Sequence, residues 1–374
     1  MITELRLENW KSFGEATLYI DPLSILIGTN ASGKSNVLDA LQFLQNIATG
    51  VPFKNAFDNL RGGSDWVAKK PNSTFSIHVV MSDAESIFNY VIKCVVGEGL
   101  VLEIFYEKEN ILNYAHNIVS DPQSLSALVL EGRKVRHEFE SIISFVKNVL
   151  NGICILHPKP EEMVGYSLLS NKLNFSANNI AGVLAALSYE RQKEIEDTLT
   201  QYASRLPERD IHRVYAEKVG KLGKDAMLYC DEKWGESGEV FTVDARAMSD
   251  GTLRFLAILT ALLTLPEGSL LAIDEVDNGF HPSRAHLLLE ALQTIGKQRN
   301  IDVLVTTHNP ALLDALGTEF VPFVTVAHRD SITGESKLTL LEDIEQLPKL
   351  LAQGTVGKLS TQGLIEKSLE SVHG

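Results

Sequence analysis

Cysteine is scarce and scattered in this sequence. Cys94, Cys154 and Cys230 are odd in number and far apart across 374 residues, which excludes a disulfide framework or a cysteine-built metal cluster and fits reduced core thiols. Long apolar runs are missing too: the longest candidate span, Leu253 to Leu265, contains Arg254 and is too short to cross a bilayer. No membrane partner is expected. The opening Met1-Ile2-Thr3-Glu4-Leu5-Arg6 has neither a basic leader nor an unbroken apolar core, so a cytoplasmic location is expected. Positive charge is in deficit, with 34 Lys and Arg against 48 Asp and Glu and a net charge of −14. Such a surface repels nucleic acid and anionic membranes unless a local basic patch or a basic partner intervenes. Repeats, low-complexity linkers and sustained heptads are absent, which excludes a solenoid and a long coiled-coil arm.

What remains is an ordinary globular composition, 44% apolar and 22% charged, long enough for about two compact units or one large domain with an insertion. Alternation in Ile2-Leu5-Leu7 and Ala16-Leu18-Ile20 predicts an antiparallel pair feeding a buried strand at Leu23 to Ile27. Thr74 to Met81, Tyr90 to Val96 and Leu100 to Tyr106 read as further strands of an antiparallel subdomain. From Pro122 to about Leu206 the period turns helical, interrupted at Ile153-Cys154-Ile155-Leu156 by a piece that reads as a strand.

The strongest motif follows the strand at Leu23 to Ile27. Gly28-Thr29-Asn30-Ala31-Ser32-Gly33-Lys34-Ser35 matches the phosphate-loop pattern GxxxxGK[ST], and Val37, Leu38, Leu41, Leu44 and Ile47 continue it as an amphipathic helix. Glycines let successive N–H groups turn toward phosphate oxygens, and the helix N-terminus adds to that field. Gly28 through Ser35, with the adjoining Asn36, are therefore the candidate ATP contacts: Lys34 for the β- and γ-phosphates and the Ser35 hydroxyl for Mg²⁺. Downstream, Leu270-Leu271-Ala272-Ile273-Asp274-Glu275 is an apolar strand ending in two acids, a Walker B pattern. Asp274 is suited to hold Mg²⁺, directly or through water, and Glu275 to polarise the attacking water. Met248-Ser249-Asp250-Gly251-Thr252 heads a strongly apolar helix, and Val303 to Thr307 is an apolar strand ending at His308. Taken alone these are an ordinary helix cap and a histidine at a strand end.

All four pieces in this order resemble the ABC-type ATPase superfamily, in its soluble branch of SMC, RecF and OLD-like proteins. Met248 to Thr252 is similar to that family's signature motif, Asp277-Asn278-Gly279-Phe280-His281-Pro282 to its D-loop, and His308 to its switch histidine. Leu5-Arg6-Leu7-Glu8-Asn9-Trp10-Lys11-Ser12-Phe13 resembles the opening strand and turn of RecF- and OLD-like ATPases. The resemblance implies an α/β fold, a P-loop ABC-type ATPase head with an antiparallel β subdomain and a compact, mainly helical middle insertion. The expected limits are 1–120 for the N-terminal lobe, 121–235 for the insertion, 236–330 for the C-terminal lobe and 331–374 for a tail. It also implies two subunits sandwiching two ATP molecules, with Ser249, Asp250 and Gly251 of one facing the nucleotide of the other, and Glu275 and His308 serving hydrolysis. Three departures stand out: Asp250 replaces the first glycine of the usual signature pair, the glutamine loop has only the region around His157-Pro158 as a candidate, and the family's arm is replaced by the compact middle.

Three functional readings follow. The first is a homodimeric ATPase switch controlling a separate effector, a nuclease or toxin, as in bacterial phage defence. The second is a RecF-like DNA repair clamp, for which Arg133-Lys134-Val135-Arg136-His137 is the candidate basic patch, and the third a transporter nucleotide-binding subunit. The long segment between Lys34 and Ser249 weighs against the transporter. Glu342, Asp343 and Glu345 read as a solvated acidic face without a strand framework for paired metals, so a nuclease is expected on another chain.

Overall fold

The computed structural model describes the chain except residues 84–85, 97–99, 108–109, 119–125, 127, 129–136, 209, 235–237, 278–281, 316 and 371–374. Its centre is a six-stranded sheet built from β3 (Leu23–Ile27), β8 (Ile153–Leu156), β13 (Leu270–Ile273), β14 (Asp302–Thr307), β15 (Val324–Arg329) and β16 (Ser336–Leu340), in the order β16-β15-β3-β14-β13-β8. All neighbours are parallel except the β15–β16 pair. Every residue of β3, β13 and β14 is buried, as parallel strands covered on both faces require.

Alternate residues of these strands feed two cores. Leu23, Ile25, Ile27, Leu271, Ile273, Val303 and Val305 face one, while Leu26, Leu270, Ala272 and Leu304 face the other. The second core is closed by α1 (Lys34–Ala48), α2 (His137–Asn151) and an antiparallel sheet ordered β2-β1-β4-β5-β6-β7. These strands are β1 (Ile2–Glu8), β2 (Glu15–Tyr19), β4 (Thr74–Ser82), β5 (Ile87–Val95), β6 (Leu100–Glu107) and β7 (Asn110–Ile118).

The first core is packed by α3 (Pro160–Met163), α4 (Ile180–Ala185), α5 (Tyr189–Ala203), α6 (Asp250–Thr264) and α7 (Pro282–Gln298). A third sheet, β10 (Ile211–Val219), β11 (Asp225–Trp234) and β12 (Glu239–Asp244), with β9 (Ser167–Leu168) paired to β11, lies against α4 and α5. The middle region thus combines its helices with strands, and Ile153–Leu156 is a strand of the central sheet. The carboxy-terminal segment is integrated as well. β16 extends the central sheet, and α8 (Pro310–Ala315), α9 (Leu347–Leu351), α10 (Val356–Thr361) and α11 (Leu364–Glu370) bury Leu347, Leu350, Leu359 and Ile365 in the first core.

Among the described residues no helix is long and apolar enough to cross a membrane.

Candidate nucleotide-binding site

β14 lies between β3 and β13, in register Ile27 with Thr307 and Ile273 with Val305, so the segments that follow all three strands leave the sheet at one edge. That edge is where open parallel sheets bind ligands. Gly28 to Gly33 emerges there and α1 begins at Lys34. Gly28 has φ 147°, and a Cβ on it would lie 2.2 Å from the Ala327 carbonyl oxygen and 2.8 Å from Ser32 Oγ, so glycine is required on both counts. Gly33 caps α1 at φ 118°, where a Cβ would collide with Ser336 Oγ and Phe13. Ala31 also adopts positive φ. Thr29 and Asn30 lie on the exposed side of the loop, whereas the Ser32 hydroxyl is buried without a hydrogen-bond partner among the described residues.

The Lys34 ammonium is buried and donates to the carbonyls of Gly28 at 2.6 Å and Thr29 at 2.9 Å. Burial pushes its pKa below the usual lysine range, opposed by the charges of Asp274, Glu275 and Asp277, which lie close enough to act on it. Ser35 is half-buried at the start of α1. Asn36 donates its side-chain amide to Ser12 Oγ and accepts at its backbone carbonyl from the Trp10 indole, both at 2.7 Å. The amino-terminal turn thereby braces the first turn of α1.

Asp274 and Glu275 leave the end of β13. The Thr306 hydroxyl donates to Asp274 Oδ1 at 2.9 Å and accepts from the Glu275 N–H at 2.8 Å, fixing the two acids relative to each other. Glu275 itself has φ 49°, an uncommon conformation for a residue with a side chain. An Arg61 nitrogen lies 3.1 Å from Asp274 Oδ2, and His157 Nδ1 lies 3.6 Å from the same oxygen. Burial alone raises the Asp274 carboxyl, but His157, Thr306 and Arg61 together hold it below the ordinary carboxylate range. The Asp274 carboxylate and Ser35 hydroxyl are hard oxygen donors, the chemistry a magnesium ion takes when phosphates complete its shell.

Two contributors, Arg61 and Thr306, carry no motif, and a third, His157, stands in the sequence only as the glutamine-loop candidate. Arg61 is held in place by Lys11, which donates to Asp39 at 2.5 Å and to the Arg61 carbonyl at 2.7 Å. Thr306 was hidden inside an apolar strand. His157 occupies the position directly after β8, beside Asp274.

Of the remaining predicted residues, His308 leaves the same sheet edge, and Ser249 to Gly251 head α6. Ser249 is the N-cap of α6, accepting from the Thr252 N–H at 3.2 Å; Ser249 and Asp250 are exposed, and Gly251 is buried. Asp250 is the first helical residue, where a carboxylate interacts favourably with the helix dipole. His308 is exposed just past β14. Asp277 is buried, while 278–281 of the D-loop and 133–136 of the basic run lie outside the described residues.

Fold and motifs together define a mixed α/β head with a phosphate-loop pattern opening α1 and two acids closing β13. Residues 1–162 match the family model described as "AAA ATPase domain", and residues 134–314 match "AAA domain, putative AbiEii toxin, Type IV TA system". Among solved structures, an SMC head bound to the C-winged helix domain of ScpA is 13% identical, with TM-score 0.56, covering 90% of this chain and 96% of the other. The SMC head domain from Thermotoga maritima is 14% identical, with TM-score 0.50 and coverage of 91% and 98%. An SMC head with an extended coiled coil, bound to the C-terminal domain of ScpA derived from Pyrococcus furiosus, is 12% identical, with TM-score 0.54 and coverage of 94% and 98%. No curated protein matches the chain. The chain has the fold of SMC head domains and carries partial matches to two ATPase-domain models, each over less than half of its length.

Proposed function

We propose that this protein is an ATP-hydrolysing switch. It closes as a homodimer around Mg²⁺-ATP and thereby holds or releases a separate effector protein, a nuclease or toxin, in bacterial anti-phage defence. The loop from Gly28 to Ser35 and the adjoining Asn36 surround the nucleotide, Lys34 meets the β- and γ-phosphates, and Ser35 and Asp274 ligate the metal. A magnesium ion held there would supply charge neutralisation at the phosphates. Glu275 orients and deprotonates water, its backbone fixed by Thr306, and His308 stands at the same sheet edge beside the γ-phosphate.

One observation carries the dimer reading: Ser249 and Asp250 are exposed at the positive end of α6, aimed outward, while Lys34 and Asp274 are buried. An anion-favouring helix terminus facing outward suits a phosphate bound by another molecule. The partner half of the reading rests on two supports. Two of the similar SMC heads are bound to domains of ScpA, and one matching family model carries a toxin in its description.

The experiment mixes two inactive variants. Lys34→Ala should lose ATP binding and Ser249→Arg should keep it while blocking closure. Each alone should be inactive, and the mixture should regain ATPase activity, because a heterodimer has one intact composite site. Mixtures as inactive as their parents would overturn the dimer. Retained activity in Ser249→Arg alone would do the same.

A further inference from the structure

Against Asp274 the structure contains a cavity of about 810 Å³. Asp274, Arg61, His157, Lys159, Lys172 and Gln42 are in its wall, and none of Gly28 to Ser35 is. Asp274 is therefore common to the proposed metal site and to this cavity. With a water occupying about 30 Å³ in the liquid, it has room for a small hydrated anion.

Its charges are unevenly matched. Asp274 is met by Arg61, Thr306 and His157, and Asp39, also in the wall, by Lys11. Lys159 is paired with Glu162 at 2.8 Å. Lys172 is exposed and has no ion pair among the described residues. Arg61 touches Asp274 through one nitrogen, with its side chain 60% exposed. The lining is thus cationic within a protein of net charge −14.

We propose that this cavity is the exit path and transient binding site for inorganic phosphate, the dianion cleaved from ATP. The inference rests on the ATPase reading above. In a closed dimer the signature surface of the second subunit covers the nucleotide from the front. ADP stays with the phosphate loop, and the cleaved phosphate stands beside Asp274 with Arg61 bridging to the cavity. Passage under Arg61 toward Lys172 lets the phosphate leave while the dimer is still shut.

The test is single-turnover kinetics of Lys172→Glu and Lys172→Arg. Cleavage is followed by chemical quench and free phosphate by a fluorescent phosphate-binding sensor. Lys172 holds its neighbours through its backbone, whose carbonyl accepts from Asn179 and Ser170, so either substitution leaves those bonds in place. Cleavage should stay within about twofold of the parent, while phosphate release by Lys172→Glu should lag by about tenfold, the scale of electrostatic guidance in a charged cleft. Lys172→Arg should restore parental release. Release that keeps pace with cleavage in Lys172→Glu, or lags equally in Lys172→Arg, would overturn the exit path while leaving the ATPase reading intact. Absence of cleavage in the parent protein would overturn that reading itself.

Discussion

The buried and the exposed parts of the site are built by different means. Lys34 (8% exposed) is held by the carbonyls of its own loop, and Asp274 (4% exposed) by groups drawn from separate segments: Thr306 on β14, Arg61 after α1, His157 after β8. Ser249 and Asp250, by contrast, sit in solvent at the end of a helix and are fixed only by local capping bonds. A buried polar group needs partners from its own chain or it destabilises the fold, whereas an exposed one is held by water until something replaces it. The contrast separates a pocket that is complete within the subunit from a surface that waits for a second molecule.

The sharpest way to break that contrast is at Glu275, which is half-buried beside Asp274 and is assigned to chemistry alone. Glu275→Gln keeps the shape and the backbone bond to Thr306. Hydrolysis is expected to fall by about 10²–10⁴-fold, the range for losing a positioned base, with ATP binding retained. The measurement is turnover beside equilibrium binding of ATP. Normal turnover would show that another group activates water. The trapped, ATP-loaded form is also the material from which to identify the effector: a nuclease or toxin chain co-purifying with it supports the defence reading, and DNA alone supports a repair clamp.

A smaller effect is expected at Thr306, which touches no phosphate. Thr306→Val preserves size but removes the hydroxyl that bridges Asp274 and Glu275 in a fully buried position. Partners behind a metal ligand typically contribute about 10–100-fold, so kcat should drop within that range and the thermal midpoint should fall with it. Parental kcat would mean that the two acids are held by their strand alone.

The uneven legibility of the site has the same physical root. The phosphate loop and the Asp274-Glu275 pair are contiguous, and their residue types are dictated by backbone geometry and charge, so they stand out in one dimension. The antiparallel pair of β1 and β2 and the buried β3 were legible for the same reason, through alternation and a continuous apolar run. Arg61 and Thr306 matter only because tertiary packing carries them to Asp274, across 213 and 32 positions of chain. A hydroxyl near the end of an otherwise apolar strand was the one available hint for Thr306. The segment 331–374 looked like a polar tail because its core residues, Leu341, Ile344, Leu347 and Leu350, are interleaved with acids and lysines and gain their meaning from the surface they cover.

β14 itself sharpens the comparison, since it carries Asp302 at one end and meets Asp274 of the neighbouring strand's edge through Thr306 at the other, with opposite consequences. At the site end Asp274, bonded to Thr306, is held below the normal range by its partners. At the other end Asp302 is pushed up to about 7, first by burial and then by the neighbouring Asp21, with the amino terminus opposing. Because folded Asp302 holds its proton more tightly than the unfolded chain does, its contribution is most favourable below about pH 4 and is lost as the pH rises to about 7. At about 1.4 kcal/mol per pKa unit the loss has an upper bound of roughly 4 kcal/mol. Asp302→Asn removes the ionisation without changing the shape. Its thermal midpoint should exceed the parent's by a few degrees at pH 8.5 and by much less at pH 4.5, as read by calorimetry at both values. An equal gain at the two pH values would mean that packing, rather than the proton, sets the behaviour at that end of the strand.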